Sequence, residues 1–189
     1  IKILLFFSIP AAVGCFILAD NMVLLLFGKG FVKAILTVRI LAMSIITVGL
    51  SNYIGYQILI IIGKEKMMLY ISSFGAVLNI VMNYFLISLL QHNGAATASM
   101  LTEGIVCCFY ICAYNKFIGF QWLPKYVFRI VISTLLMSIS INFIMLINST
   151  IIISCLISVC VGVCIYLISS LILKNEIAVL LWKKGLNKL

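Results

Sequence analysis

Charge is scarce in this sequence. Of its 189 residues 9% are charged, and Asp and Glu together number four. A soluble domain carries about a quarter charged residues and about half apolar ones; here 65% are hydrophobic. A chain of this length can bury a good core but not that much apolar surface, so the excess must face lipid. Histidine is nearly missing as well: His92 stands alone with no cysteine near it, and the seven cysteines form no C-x-x-C pair. Zinc needs convergent ligands at workable spacing, so a metal site is not expected. Cys15, Cys107, Cys108, Cys112, Cys155, Cys160 and Cys164 read as inert buried thiols. G-x-S-x-G, a P-loop, a paired-carboxylate motif and a Cys/His pair are all lacking, so neither catalytic residues nor a cofactor is expected. There is no charged n-region followed by a polar mature domain, hence no cleavable signal peptide to discount. With Ile1 in place of Met and an apolar run from Ile3, the expectation is that the first part of a larger protein precedes this chain.

The net charge of +9 is no nucleic-acid signal, because no basic stripe interleaves with aromatics. Lys and Arg sit instead in short breaks between six apolar runs, at roughly 3–27, 40–62, 67–90, 95–114, 128–147 and 151–173. Each is near the ~20 residues that span a bilayer as a helix, and the runs are continuous rather than alternating, which favours helices over barrel strands. The fold class expected is all-α integral membrane with about six transmembrane helices. If the loops alternate sides, ten of the thirteen Lys and Arg fall on the side of Lys2 and only Lys29, Lys33 and Arg39 on the other. The positive-inside rule then places both chain ends in the cytoplasm. The tail 174–189 mixes Ile177, Leu180, Leu181 and Leu186 with Lys183, Lys184 and Lys188. It reads equally as an amphipathic helix on anionic membrane lipid or as a frayed end.

Polar and small residues recur inside the runs at helical spacing. The second holds Ser44, Thr47, Ser51, Asn52 and Gly55; the third Ser72, Gly75, Ala76, Asn79 and Asn83. The fourth has two adjacent rows, Gly94–Ala98–Thr102 and Ala95–Ser99–Glu103, and the sixth has Ser154, Ser158, Gly162, Tyr166 and Ser170. Such rows let helix backbones approach closely in lipid. The sixth-run row, without strong polar groups, reads as packing. Glu103 is the sharpest residue, since a mid-membrane carboxylate costs about 2.5–3.5 kcal/mol and must face protein or water. Asn79 and Asn83, four apart, share a face; Asn52 and Gln57, five apart, do not, so one of those two is expected at the same cavity. Asp20 and Asn21 read as a break or an interface approach, Pro10 as a tolerated kink, and Asn148–Ser149–Thr150 as a loop.

These features fall in a familiar order. Lys2-Ile3-Leu4 through Pro10, the stretch 22–28 (MVLLLFG) with Lys29-Gly30-Phe31, and Val38-Arg39-Ile40-Leu41 come first. Gln57-Ile58-Leu59 with Gly63-Lys64-Glu65-Lys66 follows, then Gly75 to Asn79 with Asn83. Gly94-Ala95-Ala96-Thr97-Ala98 with Leu101-Thr102-Glu103 closes the series. Taken in sequence they resemble the Wzx-type O-antigen and polysaccharide flippases, which are related to MATE exporters. Residues 88–92 depart from that family's I-P-x-x-G pattern. The resemblance covers residues 1–115. Residues 116–173 look like the additional helix pair some members carry, and 174–189 like a basic cytoplasmic tail.

The resemblance implies the second lobe of a MATE-like helical transporter in a bacterial inner membrane. A missing N-terminal lobe of the same protein and a lipid-linked oligosaccharide would be its partners, and nucleic acid would not. Asn52, Gln57, Asn79, Asn83 and Glu103 become candidates to line the substrate lumen. A MATE-like small-molecule antiporter and a membrane glycan polymerase are the competing readings. The antiporter would want more acidic residues than Glu103, and the polymerase longer loops carrying His, Arg or Asp.

Overall fold

A computed structural model describes residues 1–119, 124–147 and 151–186, with side chains of the final helix through residue 182. Every regular element among them is helical: α1 Lys2–Leu26, α2 Ala34–Asn52, α3 Glu65–Leu90, α4 His92–Phe117, α5 Pro124–Ile147, α6 Ile151–Ile172 and α7 Glu176–Leu186. A 3-10 turn, Lys29–Phe31, follows α1, and α2 runs directly into a π-helical turn, Tyr53–Leu59. Among the described residues, six helices are long and apolar enough to cross a membrane: α1, α2 with its π turn, and α3 to α6. At ~1.5 Å per residue, the 25 residues of α1 reach about 37 Å, more than a hydrocarbon core of ~30 Å. Large side chains such as Leu69, Ile80, Phe128 and Leu156 are more than 60% exposed and need lipid around them. The protein is an all-α, multi-pass membrane protein.

The helices outrun the apolar stretches. α2 begins at Ala34 rather than near residue 40, and α4 spans His92–Phe117 rather than 95–114. Backbone groups in lipid must be satisfied internally, so a helix continues through its polar ends. α1 likewise passes without a break through Pro10, Asp20 and Asn21. The expected break at 91–94 shrinks to one residue: Gln91, at φ 52°, joins α3 directly to α4. The Asn148–Ser149–Thr150 loop, Lys188 and the side chains of Lys183 and Lys184 lie outside the described residues. The 115–126 break is narrowed at both ends by α4 and α5, and its centre also lies outside them.

The chain divides into two compact units, one of residues 33–122 and one of 2–32 with 123–189. These packing units are a different division from the sequence segments 1–115 and 116–173, because α1 packs with α5 and α6. In the first unit α4 packs on both α2 and α3. One end is clasped by Thr37, whose hydroxyl donates to Asn93 Oδ1 (2.7 Å), and by His92 Nε2 on Lys33 O (3.2 Å). At the other end Ile54, Leu59, Ile71, Val106, Tyr110 and Ala113 form a core. Gly63, at φ 70°, there turns the chain from the π turn into α3.

The second unit packs α1, α5, α6 and α7 around Phe6, Leu18, Ile130, Met137, Ile141 and Tyr166. The sixth-run row is buried throughout: Ser154, Ser158, Gly162, Tyr166 and Ser170. A Cβ on Gly162 would sit 3.1 Å from Ile141, and the Tyr166 hydroxyl donates to Phe6 O at 2.6 Å. Four polar links gather at one end. Tyr126 donates to Lys2 O (2.7 Å), Arg129 donates to Lys174 O (2.9 Å), Lys2 pairs with Glu176 (2.5 Å), and Asn175 Oδ1 accepts from Ile177 N (3.3 Å). Asn175 thus caps α7, which is a helix and not a frayed end, with Ile177 and Ala178 buried beneath it.

The cysteines depart from expectation. Cys107 and Cys155 are buried and Cys15 half-buried, but Cys108, Cys112, Cys160 and Cys164 are exposed on their helices. A small apolar thiol suits a lipid-facing surface as well as a core, so an apolar run alone does not distinguish the two.

Candidate functional site

The polar rows of α2, α3 and α4 converge on one hollow in the first unit, with a volume of about 610 Å³. From α2 come Ser51 and Asn52, and from the π turn Tyr56. α3 contributes Ser72, Gly75, Ala76, Asn79 and Ile80, and α4 contributes Ser99, Thr102, Glu103, Val106 and Tyr110. Helical periodicity explains the selection. Ser72, Gly75, Ala76 and Asn79 recur at three- and four-residue steps, as do Ser99, Thr102, Glu103, Val106 and Tyr110, so each set forms one stripe. Glu103 lies near the midpoint of α4, half-buried, at the edge of this hollow.

Close approach brackets the hollow. A Cβ on Gly75 would fall 2.5 Å from Val106 Cγ2, so α3 and α4 meet there only because residue 75 has no side chain. The Tyr110 ring seats against Gly55, where an added Cβ would lie 3.2 Å from Cζ. Its hydroxyl is 3.0 Å from Ser72 Oγ, whose own proton goes to Met68 O at 2.7 Å. Tyr110 thereby bridges the α4 stripe to α3, with Met68 O a further acceptor 3.4 Å from its hydroxyl. Asn83 Nδ2 donates to Asn79 Oδ1 at 2.8 Å, which occupies that carbonyl and leaves the Asn79 amide N–H groups to face other partners. Ser51 and Thr102 are 5% and 4% exposed; the Ser51 hydroxyl lies against the Cys107 thiol, and the Thr102 hydroxyl has no hydrogen-bond partner among the described residues. Both line the hollow.

Of the five sequence candidates, Asn52, Asn79 and Glu103 line the hollow together, and Asn83 joins through its bond to Asn79. Gln57 does not; it is exposed in the π turn, so Asn52 is the one of that pair at the cavity. Tyr56 and Tyr110 are lining residues the sequence reading missed. Tyr110 follows Glu103 by seven residues, two helical turns, and that spacing was available as a signal. Tyr56 is presented by a π turn that leaves no mark in composition. Among the described residues, His, Cys, Asp and Glu nowhere gather in a group of three that could hold a metal ion.

The lining offers amide, hydroxyl and phenol groups with one carboxyl, and contains no Lys, Arg or His. It can hydrogen-bond a polar solute in both senses, as donor and acceptor. Compared with known protein families and with curated proteins, the chain matches none.

Proposed function

We propose that this chain is part of a polysaccharide flippase. Such a carrier moves an undecaprenyl-diphosphate-linked oligosaccharide across the bacterial inner membrane by alternating access, with no covalent bond made or broken. The observation that carries the reading is a polar hollow of about 610 Å³ among helices that are otherwise apolar enough to span lipid. Polar groups in the membrane are costly and mark substrate paths. Volumes of about 300–1,000 Å³ are those of small-ligand sites. The ordered motifs from Lys2-Ile3-Leu4 to Leu101-Thr102-Glu103 support the same reading, with Asn52, Asn79, Asn83 and Glu103 on the substrate path. The charge asymmetry supports both ends of this chain in the cytoplasm. The N-terminal lobe of the same protein supplies the opposite wall of the lumen.

The test is complementation. The full-length protein should restore surface glycan in a flippase-null strain, and Ser99→Phe, which fills the hollow, should abolish restoration at normal membrane abundance. Unchanged glycan with Ser99→Phe rejects the hollow as the substrate path. Glu103 in the lining favours one second reading, a cation-coupled small-molecule antiporter. That reading predicts Glu103-dependent efflux of an organic cation and no effect on glycan.

A further inference from the structure

We infer that the hollow of the first unit takes the uncharged, polyhydroxylated part of its substrate, the sugar rings, and not the diphosphate, and that Glu103 selects against acidic sugars. The inference rests on the flippase reading and adds which portion of the cargo this site holds.

The argument is one of chemical match. Phosphate is recognised by cations, above all by forked guanidinium groups or lysine ammonium, and by arrays of backbone N–H groups. The hollow has no cationic side chain in its lining and does have a carboxyl. The lining stretches of α2, α3 and α4 lie inside continuous helix, so their backbone N–H groups are already used. A diphosphate placed here exchanges water for neutral dipoles and a like charge.

Sugar hydroxyls are each donor and acceptor, and the lining is built of groups that answer both. The Asn79 amide donates, its carbonyl being held by Asn83 at 2.8 Å. The Thr102 hydroxyl, buried with no partner among the described residues, can do either. The Glu103 carboxyl can accept from adjacent hydroxyls of a ring. Tyr56, exposed on the hollow, offers an aromatic face to the C–H side of a sugar. Buried hydroxyls of α6, such as Ser154 and Ser158, lack partners among the described residues too, but they do not line the apolar pocket beside that helix. The buried Thr102 hydroxyl, on the same hollow as Asn79, Glu103 and Tyr56, is what points to a ligand.

The experiment uses the intact protein in lipid nanodiscs at neutral pH, with ligand binding read by saturation-transfer NMR. Three probes are compared: a neutral N-acetylhexosamine disaccharide, its counterpart bearing one uronic acid, and inorganic pyrophosphate. The neutral disaccharide should bind roughly tenfold or more tighter than the acidic one, and pyrophosphate should neither bind at the hollow nor compete. Glu103→Gln should abolish the discrimination by raising the affinity for the acidic disaccharide. Asn79→Leu should weaken the neutral probe by roughly tenfold, with gel-filtration profile and helicity checked against the unmodified protein.

Competition by pyrophosphate that Asn79→Leu removes overturns the inference. So does equal binding of neutral and acidic sugars, or no sugar binding by well-folded protein. The two proposals separate cleanly. Restored surface glycan without sugar binding at the hollow sinks this inference alone. Sugar binding without glycan restoration sinks the flippase reading and leaves the chemistry of the hollow standing.

Discussion

Gly94 and Gly75 make the same kind of helix contact against different obstacles, and the difference sets two outcomes apart. A Cβ at residue 94 would lie 2.0 Å from Leu86 O, 2.4 Å from Leu86 C and 2.9 Å from Ile87 N, all backbone of α3. At residue 75 the obstacle is the Val106 Cγ2 methyl at 2.5 Å, with Val106 Cβ already 3.9 Å away. Overpacking costs about 1–3 kcal/mol and exceeds that where nothing can move. Gly94→Ala should therefore destabilise by about 3 kcal/mol or more, with no side-chain change able to relieve it. Gly75→Ala should cost about 1–2 kcal/mol, because a β-branched valine is stiff but remains a side chain. Val106→Ala, itself destabilising, should then cost less in the Gly75→Ala background than alone. Thermal unfolding in detergent, followed by the loss of helical circular dichroism, reads all four variants. At ~2–4 °C per kcal/mol, Gly94→Ala should melt at least 6 °C low and Gly75→Ala about 2–8 °C low. Equal losses for the two glycines, or strictly additive Gly75 and Val106 effects, would refute the packing argument.

In the full-length protein, Glu103→Gln should lower surface glycan at normal abundance if charge matters to transport; if Glu103 is only a hydrogen-bonded support, Glu103→Gln should be nearly silent and Glu103→Ala should lower abundance. Tyr166→Phe removes the 2.6 Å bond to Phe6 O and should cost about 0.6–1.7 kcal/mol, the range for such bonds in membranes, as a drop in melting temperature; an unchanged melt rejects that bond as a stabilising contact. Single-cysteine labelling in intact cells should leave residue 64 protected from outside reagent, and its labelling from outside would reverse the proposed orientation.

The six spans were legible because lipid allows a helix only one simple signature, a long apolar run. Their ends were not, because helical hydrogen bonding carries the backbone past that run into polar residues such as Thr37 and His92. Three of the five candidates, Asn52, Asn79 and Glu103, were found by depth and spacing and meet at one hollow. Asn52 and Gln57, five apart, were expected to put one of the pair at the cavity, and Asn52 is the one in the lining. The pairing of α1 with α5 and α6 was also hidden. Nearly every helix carries small residues, and which two rows meet is decided by shape across the unit, not by either row alone.

Similar alphabets of small and polar residues give opposite results in the two units. Along α6, Ser154, Ser158, Gly162 and Ser170 are buried against neighbours, with Ile141 filling the notch at Gly162. Along α3, contact is made at Gly75 and through the Tyr110–Ser72 bridge, and the remaining row opens onto the hollow. What differs is the polar content. The α6 row has hydroxyls and no amide or carboxyl, while the α2, α3 and α4 rows bring Asn52, Asn79 and Glu103. A hydroxyl is the smallest polar group to bury, and Ser154 and Ser158 are packed dry with no partner among the described residues. An amide keeps a second donor and an acceptor to satisfy even when it bonds back, as Asn142 Nδ2 does to Ser138 O at 2.8 Å, and burying an amide or a carboxyl against apolar neighbours is costly. Helices carrying them are held apart around water or a polar solute, and a polar void of this size does not stay empty. The side chains that line the hollow favour water or a polar solute there, and the proposed sugar hydrogen-bonds amides and a carboxyl without bringing negative charge.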